Sequence, residues 1–347
     1  MIEMELKGTA YKIGYEHGRQ VPDLIRRFHH CVLVDKASQG FRGRPQGTRD
    51  DFRRRVLRVA GNVQAWNPGI LEEMHGIADG AGMSYEDILD LNFSTEGWGE
   101  LLHGCTTLVL GTADGPVIAK TEDDDAGDQD YLVFQRITPT NGLRYIKTTL
   151  AGTLWTSVGL NEAGFCYSGS GLPLVHGTNN WDGLPSMVVN RELLVQCHTA
   201  AEGLDWLSRI DYIQHGGALA LVDEAGDVAV VEKVPTAQAV RRPEDGVAFT
   251  VNDAWCPAIK PLVGGNEALI AESHTRADNL LRLAKDLPAT PEGMQTLLRD
   301  HNHPGGICHH GEVGIHTVSA AVMQPRQRRL WVTQGYPCQN PFVVYTV

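Results

Sequence analysis

The hydrophobic pattern changes its period near residue 104, and this change constrains the fold more than any other feature of the sequence. Before it, apolar residues recur at helical spacing within 21–28, 52–63 and 70–78. Ser84, with Asp87 three residues later, predicts the N-cap of a further short helix. After residue 104 the apolar residues alternate in short runs, which predicts strands. The chain therefore combines a helical N-terminal part with a strand-rich remainder.

Turn-forming pairs separate the strand-like runs after residue 104. Asp114-Gly115 and Asn141-Gly142 are typical of tight hairpins, and 161–164 gives a third turn signal. Consecutive hairpins flanked by helical segments favour a layered α+β fold over alternating βαβ units. The pattern predicts strands at 106–110, 117–121, 131–138, 143–150, 154–160 and 165–168, a hairpin at 218–234, helices at 186–207, 267–285 and from 291, and strands at 318–323 and 330–333.

The composition argues against several classes of partner. With 30 Lys and Arg against 42 Asp and Glu, the net charge is −12, which disfavours nucleic acid or an anionic membrane surface. No apolar run approaches a transmembrane length, and the first residues lack the apolar stretch of a signal peptide. The seven cysteines are odd in number and form no CxxC pair, which is typical of a reducing compartment. We therefore expect a cytoplasmic protein.

The tetrapeptide Gly104-Cys105-Thr106-Thr107 stands at the change of pattern and is the main candidate for chemistry. Most free cysteines are small buried hydrophobic residues, and one that opens a strand fits that interpretation. The alternative is a thiol nucleophile, for which a preceding glycine removes a side chain that would crowd the attack. The tetrapeptide alone leaves both interpretations open.

Together with this tetrapeptide, several other segments resemble the acyl-coenzyme A:6-aminopenicillanic acid acyltransferase family of N-terminal nucleophile (Ntn) hydrolases. The resemblance runs nearly from end to end, and its pieces occur in the family's order. They are a Gly/Tyr pattern at 8–18, a "GIAxGAG" segment at 72–82 continued by 87–92, the self-cleavage site at 104–107, a "GxNExGL" hairpin at 159–165, and the short segments 300–301, 307–310 and 335–338.

The resemblance implies a four-layer αββα sandwich in which two antiparallel sheets pack between helical layers. Residues 1–104 would be a helical propeptide that stays bound, and residues 105–347 the catalytic fragment, together forming one folded unit. Cys105 would attack the carbonyl of Gly104, and water would then release the chain. The freed α-amine of Cys105, whose ordinary pKa is about 7.7–8.0, would act as the base for its own thiol.

The resemblance also assigns catalytic roles to two polar residues. Asp123 matches by position an aspartate that holds the α-ammonium group or orients the substrate, and the alternative is a solvated acidic loop. Asn252 lies in a segment similar to the family's "TNH" and would donate to the oxyanion; the alternative is a turn-forming asparagine. Asp253 stands where the family has a histidine. A calcium loop starting at Asp123 fails, because its sixth position is not glycine.

Five residues are candidates for substrate binding. Arg276 lies in a segment similar to a family "S-x-x-R" helix and is either structural, which we favour, or a partner for a substrate carboxylate. His316 stands near the place where family members often carry an arginine, and it is either a substitute for that arginine or a packed histidine. Because this chain has no arginine there, the penicillin reaction itself is not implied. The other candidates are Thr106, Glu122 and Asn161, which lie within or beside the matched segments.

A histidine-rich stretch near the C-terminus suggests a metal hypothesis. Its spacing matches neither a CxxC nor an HExxH site, and part of it coincides with family segments that have no metal role there. We therefore expect no metal. The sequence also lacks a GxGxxG, a P-loop and a GxSxG motif, so we expect no cofactor. The residues of this stretch are His301, His303, Cys308, His309 and His310.

The expected activity is hydrolysis of the amide bond of a small N-acyl compound through a Cys105 acyl-thioester. Hydrolysis is favoured over transfer because nothing in the sequence marks a coenzyme A site. The alternatives are an acyltransferase that moves an acyl group from a thioester or amide donor to an amine, an unprocessed binding homologue without activity, and a metal hydrolase built on the histidines. The expected partner is a small-molecule N-acyl substrate, and assembly of processed heterodimers into a homo-oligomer stays open.

Overall fold

The computed structural model describes residues 1–35, 47–98, 104–156, 158–175, 179–213, 215–264 and 267–347. The strands are, in chain order, β1 Ile2–Gly8, β2 Gly104–Leu110, β3 Val117–Asp124, β4 Leu132–Pro139, β5 Tyr145–Leu150, β6 Val158–Asn161, β7 Cys166–Leu172, β8 Gly216–Val222, β9 Val228–Val234, β10 Ala237–Arg241, β11 Val247–Thr250, β12 His316–Gln324, β13 Arg329–Gln334 and β14 Val343–Thr346. The helices are α1 Ala10–Gln20, α2 Pro22–His30, α3 Arg49–Trp66, α4 Pro68–Ala81, α5 Tyr85–Asn92, α6 Ser94–Trp98, α7 Ser186–Gln196, α8 Ala200–Ser208, α9 Glu267–Asp286 and α10 Pro291–Leu298.

The strands form two sheets. The large sheet has eight strands in the order β1-β4-β5-β6-β7-β8-β9-β10, and the small sheet has six in the order β11-β2-β3-β12-β13-β14. All neighbours pair antiparallel except β1 and β4, which pair in parallel. The three predicted hairpins at the start of the strand-rich part correspond to β2–β3, β4–β5 and β6–β7.

Three hydrophobic cores separate four layers. Between the sheets lies a core that includes Ile118 of the small sheet and Phe134 of the large one. The outer face of the large sheet shares a core with α1–α5, α7 and α8. The outer face of the small sheet packs against α9 and α10. The predicted four-layer αββα sandwich is therefore confirmed.

The N-terminal part is mostly helical, as predicted, and it also contains a strand that the sequence analysis did not predict. Residues 2–8 form β1, in which Met4 and Leu6 are buried while Glu3 and Glu5 are exposed. This alternation with period two is the signature of a strand with one buried face. β1 pairs in register with β4 from Ile2 opposite Val133 onward. Residues on both sides of the Gly104–Cys105 bond thus share one sheet.

Glycines let α1 and α4 pack backbone against backbone. A Cβ atom on Gly14 would lie 1.9 Å from the carbonyl oxygen of Glu73, and one on Gly76 would lie 2.1 Å from that of Tyr11. Both distances are far below a van der Waals contact, so only glycine fits. The Gly-rich segments that carry the family resemblance near the N-terminus therefore have a packing role.

The helical run at 186–207, predicted as one segment, is two helices. α7 ends before Cys197, and the Thr199 side chain caps α8 by accepting from the backbone N–H of Glu202. A threonine that begins a new helix satisfies donors that have no partner within the helix. The predicted N-cap at Ser84 is confirmed, since its Oγ accepts from the Asp87 N–H at 3.1 Å. Among the described residues, no helix is both long enough and apolar enough to span a membrane.

Candidate active site

Cys105 is the second residue of β2, a strand inside the small sheet between β11 and β3. It pairs with Glu122 across β2 and β3, so the two side chains lie on the same face. Thr107 lies on this face as well and contacts Ser168 of the large sheet, with 2.8 Å between the hydroxyl oxygens. The Cys105 thiol therefore lies between the two sheets, where it is 3% exposed.

The backbone of Cys105 is held on both sides. Its N–H donates to Asn252 Oδ1 at 2.8 Å. Its carbonyl accepts from Ser170 Oγ at 3.3 Å, and this hydroxyl in turn contacts Thr250 Oγ1 at 2.8 Å. Asn252 Nδ2 donates to the Gly171 carbonyl at 3.0 Å, which fixes the orientation of its amide. The nucleophile candidate thus occupies a rigid position on a strand.

A buried lysine lies beside the thiol. Lys120 is 1% exposed, and its Nζ lies 3.3 Å from Glu122 Oε2. Burial and, to a smaller extent, the negative charge of Glu122 raise the pKa of the Cys105 thiol to about 12, against the lowering effect of the positive charge of Lys120. The pKa of a thiol that lies between two opposite charges changes when either charge is removed. Sequence analysis did not single out Lys120, although its two-residue offset from Glu122 places both on one face of β3.

Asp123 lies on the opposite face of β3, buried under α9. Its carboxylate accepts from Thr317 Oγ1 at 2.6 Å and from Thr121 Oγ1 at 3.1 Å, and Arg276 Nη1 lies 3.4 Å away. Burial raises the pKa of Asp123 to about 7, against the lowering effects of Arg276 and Thr317. Asp123 pairs with Gly104 in the register of β2 and β3. Asp123 therefore lies opposite the residue that precedes Cys105 on β2.

Arg276, fully buried on α9, connects the candidate catalytic residues. Its Nη2 donates to Asn252 Oδ1 at 3.0 Å, and its Nη1 is the group that faces Asp123. Nη1 also donates to Thr106 Oγ1 at 3.1 Å, and Glu272 Oε2 lies 3.0 Å from Nη2. The guanidinium of Arg276 thus bridges Asp123 and Asn252, and Asn252 in turn contacts Cys105.

The Cys105 face of the sandwich opens into a cavity. Cys105 and Glu122 line it with Tyr167 and Asn190. An adjoining cavity shares Glu122 and Thr156 with it and includes Thr95 of α6. The N-terminal part of the chain therefore contributes to the wall of the space that the thiol faces.

The remaining predicted substrate-binding residues do not all face this cavity. Glu122 does, whereas Thr106 and Arg276 are buried on the opposite face of the small sheet. Asn161 is buried in the β6–β7 turn, where its Nδ2 donates to two carbonyls of the α7 region and its Oδ1 accepts two turn N–H groups. His316 Nδ1 contacts Tyr336 Oη at 2.7 Å. Thr106, Arg276 and Asn161 are thus engaged in holding the scaffold.

Comparison with known protein families gives one match over most of the chain. A family model described as acyl-coenzyme A:6-aminopenicillanic acid acyl-transferase matches residues 111–339, more than half of the chain. The chain belongs to this family. The family predicted from the sequence motifs is therefore confirmed, and the match covers the strand-rich part from the β2–β3 turn nearly to the C-terminus.

A curated relative is the acyl-coenzyme A:6-aminopenicillanic-acid-acyltransferase 40 kDa form of Emericella nidulans. It is 31% identical over 199 residues, which are 56% of this chain and 53% of the relative. The chain thus spans about half the length of this relative. Solved structures that match include a Caenorhabditis elegans N-acylethanolamine-hydrolyzing acid amidase ortholog, with a TM-score of 0.46 and 15% identity over 70% of this chain and 100% of that one. A conjugated bile acid hydrolase from Clostridium perfringens has a TM-score of 0.43 and 11% identity over 70% of this chain and 97% of its own.

Proposed function

We propose that this family member is a self-processing enzyme that hydrolyses small N-acyl amides with Cys105 as its nucleophile. The observation that carries the proposal is the contact of the Cys105 backbone nitrogen with Asn252 Oδ1 at 2.8 Å. In the intact chain this nitrogen is an amide. Once the Gly104–Cys105 bond is cleaved, it becomes an α-amine held in the same place, beside its own thiol. The contact thus gives the base a fixed position.

The processing step follows from the local chemistry. The Cys105 sulfur attacks the Gly104 carbonyl, the C–N bond breaks, and the thiol proton passes to the departing nitrogen, leaving a thioester. Water then adds to the thioester and releases a Gly104 carboxylate and the free thiol. We propose that this divides the chain into 1–104 and 105–347, with β1 and β4 keeping the two fragments in one sheet.

Two charged residues adjust the nucleophile during turnover. Lys120 favours the thiolate by lowering the thiol pKa, and Glu122 opposes it. In the processed enzyme the α-amine of Cys105 accepts the thiol proton, and the sulfur attacks the carbonyl of the substrate amide. The amine part of the substrate then leaves and takes that proton from the α-ammonium group of Cys105. Water then resolves the acyl-thioester. The family relationship and the small cavity beside the thiol support an enzyme rather than a binding homologue.

Asn252 supports this chemistry differently from the sequence expectation of an oxyanion donor. In the intact chain its oxygen accepts from Cys105 and from Arg276, while its Nδ2 donates to Gly171. We propose that Asn252 positions the α-amine of Cys105. An Asn252→Asp variant retains the acceptor and an Asn252→Leu variant does not, so only the latter is expected to lose turnover through misplacement of the base.

An acyltransferase is the competing function, and one experiment separates the two. The protein is incubated with a panel of N-acyl amides, quenched in acid and analysed by intact mass. Hydrolysis predicts an acyl adduct on the 105–347 fragment, absent in Cys105→Ala, and free acid as the product with or without added amine. Transfer predicts that the product changes to a new amide when an amine is added. Absence of any adduct and product across the panel contradicts the proposal.

A further inference from the structure

Metal-ligating side chains from two loops lie close together at the end of the small sheet. Cys308 and His310 lie in the loop between α10 and β12, and His301 precedes them in it. Cys338 lies in the loop between β13 and β14. The donor atoms of His301, His310 and Cys338 all lie within 4.8 Å of one another. Sequence analysis did not include Cys338, because it lies 30 residues after Cys308.

The distances among Cys308, Cys338 and His310 match three ligands of a tetrahedral centre. Cys308 Sγ lies 3.7 Å from Cys338 Sγ and 3.6 Å from His310 Nε2, and His310 Nε2 lies 3.2 Å from Cys338 Sγ. With Zn–S bonds of about 2.3 Å and Zn–N bonds of about 2.0–2.1 Å, a tetrahedral zinc separates two sulfurs by about 3.8 Å and a sulfur and a nitrogen by about 3.5 Å. The observed separations among Cys308, Cys338 and His310 are close to these values, and the donor atom of His301 lies within 4.8 Å of those of His310 and Cys338.

The surroundings of the two histidines also fit ligation. His301 Nδ1 donates to the Arg299 carbonyl at 3.0 Å, which leaves Nε2 as the acceptor that a metal needs. Such a hydrogen bond to the second ring nitrogen is usual for ligating histidines. The His310 ring stacks on Tyr336 with 4.1 Å between centroids, so its Nε2 stays turned toward the thiols. Both rings are therefore oriented without the metal.

We propose that Cys308, Cys338, His301 and His310 bind a structural zinc ion. Two thiolates balance the double charge of zinc, and two neutral imidazoles complete a closed tetrahedral set without a free position for a substrate. Cys308 is buried, whereas His301 is exposed, so the ion can enter from solvent. Release of the two thiol protons accompanies binding.

The zinc site stabilises a loop that contacts the candidate active site. His309, between two of the ligands, donates its backbone N–H to Thr317 Oγ1 at 2.8 Å, and its carbonyl accepts the Thr317 N–H at 2.9 Å. Thr317 Oγ1 is the group that donates to Asp123 at 2.6 Å. Zinc binding thus fixes the segment that contacts the buried Asp123 carboxyl of β3.

The test is elemental analysis of untagged protein purified without chelators, carried out in a Cys105→Ala background so that its result is independent of processing and activity. We expect about one zinc per chain, and loss of it in Cys308→Ser/Cys338→Ser. The matched control, Cys31→Ser/Cys256→Ser, removes two cysteines outside the cluster and keeps the metal. After replacement with cobalt, the intact site gives visible bands of tetrahedral cobalt and a near-ultraviolet thiolate charge-transfer band.

Three results would overturn the proposal. The first is protein without zinc that gives no cobalt–thiolate band after reconstitution. The second is a Cys308–Cys338 disulfide in non-reducing peptide maps of freshly purified protein. The third is zinc that survives the cysteine double variant but is lost in His303→Gln, which would move the ion to the neighbouring cluster of His303, His309 and Glu312.

Discussion

Replacing Arg276 with methionine tests how the candidate site is held together. Arg276 is fully buried, and Asp123 and Glu272 face its guanidinium at 3.4 and 3.0 Å. Methionine preserves most of the aliphatic volume but leaves two buried carboxyl groups without their cation. Removing one partner of a buried ion pair costs about 3–5 kcal/mol. We therefore expect the free energy of unfolding to fall by about 3–5 kcal/mol at about pH 8, where Asp123 is ionised.

The loss should also depend on pH in a direction that the structure determines. The pKa of Asp123 is already raised to about 7 by burial, so in the fold this group holds a proton that the unfolded chain has released above its ordinary pKa. Stability from this group therefore falls as pH rises through the window from about 4 to about 7. Without Arg276 the folded pKa moves higher, and the window extends upward. The deficit of Arg276→Met should be larger at about pH 8 than at about pH 6.

The assay is urea unfolding of Arg276→Met and a matched control, both in a Cys105→Ala background that keeps the chain intact. Arg282→Met removes an exposed arginine on the same helix, whose partner Asp286 lies 3.5 Å away, and should change stability by less than about 1 kcal/mol. Arg276→Lys should fall between the two, because an ammonium keeps the charge but loses the fork of donors. A loss of stability in Arg276→Met no larger than in the control would show that Arg276 does not stabilise the buried carboxyl groups of Asp123 and Glu272.

Three further predictions concern the nucleophile, a buried histidine and the N-terminal helices. Glu122→Gln should speed alkylation of the Cys105 thiol by iodoacetamide and Lys120→Met should slow it, because the charges of Glu122 and Lys120 shift the thiol pKa in opposite directions. Equal alkylation rates in both variants would contradict this. Burial lowers the pKa of His17 to about 3, so the free energy of unfolding should fall as pH drops below about 6.5, by up to about 1.4 kcal/mol per pH unit. The midpoint of urea unfolding should therefore depend less steeply on pH in His17→Gln than in the wild type. Gly76→Ala should destabilise by about 3 kcal/mol because its Cβ meets backbone 2.1 Å away, whereas Gly61→Ala, whose Cβ meets nothing within 4 Å, should be neutral or stabilising in the same thermal unfolding assay.

The sequence predicted those parts of the fold whose signals are local. The change of period near residue 104, the hairpin turns and the Ser84 cap each depend on residues a few positions apart, and all correspond to elements of the structure. β1 was missed although it alternates, because its pairing with β4 joins residues as far apart as Ile2 and Val133. A short segment with exposed charges gives no local sign of such a partner.

The candidate site was predicted in part for the same reason. Cys105, Asp123 and Asn252 were identified through family motifs, and the structure links them through Arg276. Lys120 was overlooked because a lysine in a strand usually faces solvent, and only the packing of two sheets buries it. Cys338 was overlooked because its partners come from a different loop. In both cases the chemistry depends on tertiary contacts that no spacing rule describes.

The intact mass of freshly purified protein under denaturing conditions tests self-processing at Cys105. Self-processing predicts two fragments that divide between Gly104 and Cys105 in the wild type, and a single chain in Cys105→Ala. It also predicts that sequencing of the larger fragment begins at Cys105. A single stable chain of 347 residues in both proteins would contradict the claim that Cys105 is an N-terminal nucleophile.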